Sequence, residues 1–289
     1  MLKKIKEFIK LKLGIVSLNQ RLDYLAALNN VTATEVLSID KVILKKAIGK
    51  LEQDVGKRAI DVKVPIHKND LMFAFHLYHH SNDPVSALLT YFQIGYKTAQ
   101  NLKKIVKKHQ LKHQTLLDFG SGYGRVSRFF DSFFAETKVV VTDVKDEAMN
   151  FQEKSLNYQT IKHGTNPESF PNTKVDLILC LSVFTHLPQK TFVPWLLKLA
   201  NSLNPSGGLV LTYKEENSKE SVFRYYQQSE DEMFSFVSDS LKLEDYGETH
   251  VSRKFFEDVF KGQPYSLHFL DNQLAGVQKA LLVVNNKLS

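Results

Sequence analysis

The feature that most narrows the fold is a strand-length apolar run, Thr115–Phe119, that breaks into Asp118-Phe-Gly120-Ser-Gly122-Tyr-Gly124-Arg125. Three glycines at alternate positions let a backbone turn sharply and pass close to a ligand with no Cβ in the way. A second apolar run over 138–142 follows and is closed by Asp143. In an open parallel sheet, ligands bind beyond the carboxyl ends of the strands, and a carboxylate there is placed to accept both hydroxyls of a ribose.

The pattern around this turn is one of strands alternating with helices. Further apolar runs of strand length recur at 175–181 and 208–213, with a weaker one at 158–162, and helical spacing fills 123–132, Asp146–Leu156 and 189–203. Continuous apolar strands between helices predict a mostly parallel sheet covered on both faces. The chain then ends in a helix over 252–260 and two strands, Tyr265–Leu270 and 278–284, the last of them predicted antiparallel. Upstream, residues 1–55 carry apolar positions at helical spacing. Thr32-Ala-Thr-Glu35 reads there as a capping box that starts a helix holding Ile39, Ile43, Ala47 and Leu51. Residues 56–113 form a second helical zone, with Asn82-Asp83-Pro84 as cap and turn before 85–108. The expected organisation is therefore 1–55 basic amphipathic helices, 56–113 a helical segment over the site, and 114–289 an α/β domain. An insertion at about 216–250 is rich in Phe and Tyr at 221–226 and 233–237, and is expected to add helix above the site.

Composition limits the function classes. The chain has 289 residues, 43% hydrophobic and 24% charged, with one cysteine, the balance of a soluble protein with a sizeable core. A lone cysteine excludes an internal disulfide and a cysteine-based zinc site and suits a reducing compartment. No uncharged apolar run approaches the roughly 18–20 residues of a membrane span, so a cytoplasmic protein is expected. The net charge of +7 is unevenly spread: residues 1–113 carry +11 and residues 114–289 carry −4. The first helix, with Lys3, Lys4, Lys6, Lys10 and Lys12 against Leu2, Ile5, Phe8 and Ile9, fits either packing on its own protein or a partner, or peripheral contact with an anionic membrane at its inner face. His76, His79 and His80 invite a metal, but no carboxylate or cysteine completes a ligand set at regular spacing, and no metal is expected.

Two cofactor classes share a strand, glycine turn and helix. A dinucleotide loop reads G-x-G-x-x-G with a pyrophosphate at the helix start. Here position 125 is arginine, and Asp118 is awkward for a phosphate but suits a ligand with a cationic amino-acid end. Asp-x-Gly-x-Gly-x-Gly with a ribose acid after the next strand resembles the first motif of class I S-adenosylmethionine-dependent methyltransferases. Val175-Asp-Leu-Ile-Leu-Cys-Leu-Ser182-Val-Phe-Thr-His186 resembles the family's fourth strand and the helix start after it. Leu203-Asn-Pro-Ser-Gly207-Gly208-Leu-Val-Leu-Thr-Tyr213 resembles its turn into strand five. Ser182 to His186, Tyr91-Phe-Gln-Ile-Gly95-Tyr and Tyr246-Gly-Glu-Thr-His250 are similar to bacterial methyltransferases associated with cell-surface glycan biosynthesis.

The resemblance covers about residues 115–284. It implies a Rossmann-like α/β fold: a seven-stranded, mostly parallel sheet with the last strand antiparallel and an N-terminal helical extension. It also implies S-adenosyl-L-methionine as cofactor, held by Asp118, Gly120, Ser121, Gly122, Tyr123, Gly124, Asp143, Val144, Thr165, Asn166, Leu181 and Ser182, with Tyr91 and Gly95 from the covering segment. The family often has Gly-Asp-Ala beside the adenine where this chain has Gly164-Thr165-Asn166-Pro167. Methyl transfer is an in-line displacement at a sulfonium, in which positioning is the protein's main task. A base adds roughly 10²- to 10⁴-fold if the acceptor is a hydroxyl. The candidates are His186, preferred, with Tyr213, Glu215 and His250 after strand five. Cys180, inside an apolar run, reads as core, and Arg125 as a solvent-facing residue at a helix start rather than a contact to the cofactor carboxylate. A small-molecule, sugar or glycan acceptor leads. Nucleic-acid methylation, a non-catalytic cofactor-binding module and a nicotinamide enzyme remain as alternatives; the basic N-terminal part favours nucleic acid, and the Leu-Ser-Val-Phe strand end disfavours it.

Overall fold

The computed structural model describes residues 36–227, 246–271, 274, 276 and 278–287. The basic first helix, Thr32 to Glu35 and the aromatic stretch 233–237 lie outside the described residues. Strands β1 (Thr115–Phe119), β2 (Lys138–Asp143), β3 (Gln159–Lys162), β4 (Val175–Cys180) and β5 (Leu203–Glu215) run parallel in the order β3-β2-β1-β4-β5. Beyond β5 lies β9 (Lys279–Asn285), antiparallel to it, and then β8 (Tyr265–Leu270), antiparallel to β9. These seven strands are mostly parallel with the last antiparallel, as the resemblance implies. Two more, β6 (Phe223–Gln227) and β7 (Gly247–Val251), form an antiparallel ribbon that joins the sheet only where Lys214 and Glu215 at the end of β5 pair with His250 and Val251.

Period-two alternation sends the strand side chains to two cores. Leu116, Leu177, Leu179, Val210 and Leu282 face α1 (Lys41–Val55), α2 (Leu71–His79) and α3 (Pro84–Lys108), which bury Leu51, Phe73, Leu88, Phe92 and Leu102 against them. Leu117, Ile178, Cys180, Leu209 and Leu281 face α6 (Gln189–Asn201) and α7 (Arg253–Val259), through Phe192, Trp195, Leu199 and Phe256. The described N-terminal helices are thus one of the two layers that cover the sheet. Asp83 caps α3, its carboxylate accepting from the amides of Val85 and Ser86, with Pro84 at the first helical position.

Three local expectations are corrected. The first described helix starts at Lys41 on an Asp40 cap and not at Thr32, since Val36 is extended and bridges His67. Residues 123–132 do not form a continuous helix: Gly122 and Gly124 hold positive φ, and the chain makes only a 3₁₀ turn, Ser127–Phe129, and a single helical turn, α4 (Phe130–Phe133), ahead of the full helix α5 (Asp146–Leu156). The aromatic stretch at 221–226 is largely strand, because Tyr225 and Tyr226 find partners in Thr249 and Glu248.

Candidate active site

At the end of β1 the chain reverses through Gly120, Gly122 and Gly124, with φ of 73°, 55° and 76°. Gly120 has no alternative: a Cβ there would stand 2.3 Å from Val183 Cγ2 at the end of β4. The amides of Gly120 and Ser121 both donate to Thr142 O on β2, at 2.9 and 3.0 Å. The turn is thereby pulled across the carboxyl ends of β1 and β2. Asp143 is aimed by two backbone donors, Gly122 N to Oδ2 at 2.9 Å and Lys145 N to Oδ1 at 3.0 Å. Each carboxylate oxygen keeps a further lone pair beyond these donors.

A cleft of about 310 Å³ opens over this turn. Of the residues singled out from sequence, it is lined by Tyr91, Asp118, Gly120, Ser121, Gly122, Tyr123, Asp143, Val144, Thr165, Leu181, Ser182 and His186. Six others, Glu215 among them, stand off its walls. Gly95 lies behind the turn, where a Cβ would meet Arg125 O at 2.0 Å, so its bareness lets α3 close on the loop. Gly124 lies against Gln152 and Leu156 of α5. Asn166 is exposed and caps the 3₁₀ turn Pro167–Ser169. Tyr213 is buried with its hydroxyl donating to Glu215 at 3.4 Å, and His250 lies on the ribbon with Nε2 2.7 Å from Glu248 Oε1. Arg125, expected in solvent, is half-buried in the cleft wall, because no helix begins there to turn it outward.

Sequence reasoning missed the roof and one side. Asp70, Leu71 and Met72 come down from the start of α2. Asp70 is buried: Oδ1 accepts from the amides of Met72 and Phe73, and Oδ2 from Tyr91 OH at 2.5 Å. The Asp-Leu-Met-Phe capping signature was readable; its position over the cleft was not. His163 and Trp195 close the side near Thr165, whose carbonyl takes the Trp195 indole N–H at 2.9 Å.

Two cleft side chains have their protonation shaped by the fold. Asp118 is 3% exposed, and its Oδ2 has no partner among the described residues. Burial pushes its carboxyl up to about 7, with the Asp143 charge adding to the rise. A carboxylate so placed calls for a ligand cation, which fits the ammonium of an amino-acid end better than any phosphate. His186 holds Nδ1 2.8 Å from Gly247 O. A carbonyl only accepts, so Nδ1 carries the proton and Nε2 keeps a lone pair. Burial pulls the imidazole below its ordinary value, so it stays neutral at pH 7. Its ring lies flat on Tyr246, centroids 4.3 Å apart at 10°. Cys180 is core, its thiol pushed up by burial. Among the described residues no cluster of His, Cys, Asp and Glu could hold a metal.

Residues 117–209, from β1 into β5, match the family model described as "Methyltransferase domain". Among solved structures, an S-adenosylmethionine-dependent methyltransferase from Clostridium acetobutylicum ATCC 824 is 14% identical, with a TM-score of 0.47 over 73% of this chain and 98% of its own. DesVI of Streptomyces venezuelae is 13% identical, with a TM-score of 0.47 over 66% and 92%. CalS10, an amino pentose methyltransferase from Micromonospora echinaspora in calicheamicin biosynthesis, is 13% identical, with a TM-score of 0.47 over 66% and 91%. No curated protein matches the chain.

Proposed function

We propose, for a chain that carries a methyltransferase domain and uses S-adenosylmethionine as its cofactor, that the reaction is O-methylation of a small uncharged hydroxyl compound, a sugar or glycan unit, with His186 as general base. The observation that carries this is the His186 ring: its tautomer is fixed by Gly247, its neutral form is favoured by burial, and it lines the cleft. An amine that is neutral when bound needs no base, whereas a hydroxyl gains from losing its proton as it attacks.

In this reading the bound cofactor supplies a methyl group on a sulfonium, an electrophile that needs no further activation. Asp143, braced by the Gly122 and Lys145 amides, would take the ribose hydroxyls, and Asp118 the amino-acid ammonium. His186 Nε2 receives the acceptor's hydroxyl proton, and the Gly247 carbonyl, held by Nδ1–H, steadies the imidazolium that forms. Tyr246 and Leu187 beside it give the acceptor an aromatic and an apolar wall. The sugar assignment is supported by the segments at 91–96, 182–186 and 246–250 that resemble glycan-associated methyltransferases. A cytoplasmic setting goes with it, and no helix of the described residues is long and apolar enough to cross a membrane.

The test is S-adenosylhomocysteine formation against a panel of sugars, nucleotide sugars, amines and RNA, with wild type and His186→Ala. Turnover of a hydroxyl acceptor should drop roughly 10²- to 10⁴-fold in the variant, with S-adenosylhomocysteine binding kept. An amine or RNA as the preferred acceptor, or unchanged turnover, sinks the assignment.

A further inference from the structure

Two arginines follow the glycine turn, three residues apart, and only one of them is spoken for. Arg128 is 1% exposed and has all five donors engaged. Nε donates to Gly124 O at 2.9 Å, Nη1 to Lys63 O and Pro65 O at 2.8 and 2.9 Å, and Nη2 to Tyr91 OH and Tyr123 O at 3.3 and 3.1 Å. It rivets the glycine turn to the helical layer and has nothing left to offer a ligand. Arg125 lines the cleft half-buried, and its guanidinium makes no hydrogen bond or ion pair among the described residues. Asp70 in the adjoining wall is turned to other donors, Oδ1 to the amides that start α2 and Oδ2 to the Tyr91 hydroxyl, and makes no ion pair with Arg125 among the described residues. Across the same turn stands Asp118, with an oxygen that also lacks a partner.

An unpaired cation and an unpaired anion on one turn complement a zwitterion. An amino acid carries its ammonium and its carboxylate on a single carbon, so both halves must be met at one place. We propose that Arg125 is a specificity-determining residue that grips the carboxylate of the cofactor's amino-acid end, opposite Asp118 on the ammonium. A guanidinium fork matches a carboxylate through two parallel hydrogen bonds, which a single ammonium point charge cannot do. The Arg128 charge behind Tyr91 adds to the positive field of that corner without competing for the ligand.

This inference rests on the methyltransferase reading, and the experiment separates the two. Calorimetric affinities are measured on the full chain for S-adenosylhomocysteine and for 5′-methylthioadenosine, which keeps the nucleoside and the sulfur but lacks the amino-acid end. Arg125→Gln should weaken S-adenosylhomocysteine by about 10- to 100-fold, as for loss of a charge-assisted pair, and leave 5′-methylthioadenosine within twofold. Arg125→Lys should restore part of the loss. Unchanged S-adenosylhomocysteine affinity in Arg125→Gln overturns the assignment. An equal loss for both ligands also overturns it, since that reports a disturbed site and not a carboxylate contact. Failure of the wild-type protein to bind S-adenosylhomocysteine at all removes the methyltransferase reading, and this inference with it.

Discussion

Around the glycine turn Asp118 Oδ2 and the Arg125 guanidinium stand at the cleft without partners among the described residues, and His186 keeps a ring lone pair there. Where the β6/β7 ribbon meets the end of β5, the charges are matched. Lys214 and His250 both meet Glu248, at 2.8 and 2.7 Å, and Arg253 is shared between Glu215 and Asp271, with Lys279 joining Asp271. The two regions lie at the same carboxyl end of the sheet, so position alone does not separate them. An unpartnered buried charge costs stability, and a fold keeps it where something other than the protein supplies the partner. Matched charges need nothing more and describe scaffold. On that difference Tyr213 and His250, which do not line the cleft, fall with the matched charges, and Arg125, which does, falls with the unmatched ones, as its proposed role requires.

The largest effect expected is from Arg128, which fastens the glycine turn to the helical layer that holds α3. Arg128→Met takes the side-chain donors from the Lys63, Pro65 and Tyr123 carbonyls and one of two partners each from Gly124 O and the Tyr91 hydroxyl, and should lower unfolding stability by about 3–5 kcal/mol in urea titration. A loss under about 1 kcal/mol would mean that the helical layer is not fastened to the glycine turn through this side chain.

Asp118→Asn tests the cost of an unpaired charge from both sides. The folded-state carboxyl titrates near 7, against an ordinary value of about 4 in the unfolded chain. The folded protein therefore holds this proton more tightly than the unfolded one. Its stability falls as pH rises from about 4 to about 7 and is level above that. The ligand-free variant lacks this slope and should be more stable than wild type at pH 8 by about 1–3 kcal/mol, the desolvated amide offsetting part of the gain. Cofactor binding runs the other way, since an ammonium needs the ionised carboxylate. Wild-type affinity for S-adenosylhomocysteine should climb between pH 6 and 8 and flatten above. The variant should be flat throughout and about 10- to 100-fold weaker at pH 8. A flat wild-type profile would remove Asp118 from the ammonium contact.

What sequence could show divides along similar lines. Strand β1, helix α5 and strand β8 coincide with the expected ranges residue for residue. Each has an apolar pattern of one clear period, and α5 is stopped by Asn157 in the left-handed region. The glycine turn and Asp143 were legible because their chemistry is local: spacing along the chain is nearly spacing in the site. Residues 123–132 misled because Val126, Phe129 and Phe130 recur at helical spacing while the glycines keep the chain turning. The strand β6 misled because its partner, β7, comes twenty residues after it ends, and aromatic content by itself does not choose between periods of two and 3.6. Asp70, Met72 and His163 reach the cleft only through tertiary packing, for which no local pattern exists.

The smallest effect should come from the ribbon, and it tests the comparison most sharply. Glu248 is held below the usual carboxylate range by its hydrogen bonds from Lys214 and His250, so it stays charged at neutral pH. The side chains are 28–43% exposed, where such pairs contribute under about 1 kcal/mol. His250→Asn removes one of two partners and leaves Lys214 in place. Unfolding stability should change by less than about 1 kcal/mol. S-adenosylhomocysteine affinity and turnover should both stay within about twofold, since a matched surface charge contributes little to a site it does not line. A turnover loss of a hundredfold with cofactor affinity intact would carry the ribbon into the chemical step. His186 and His250 would then have to be placed on one acceptor, and pairing would no longer tell scaffold from site.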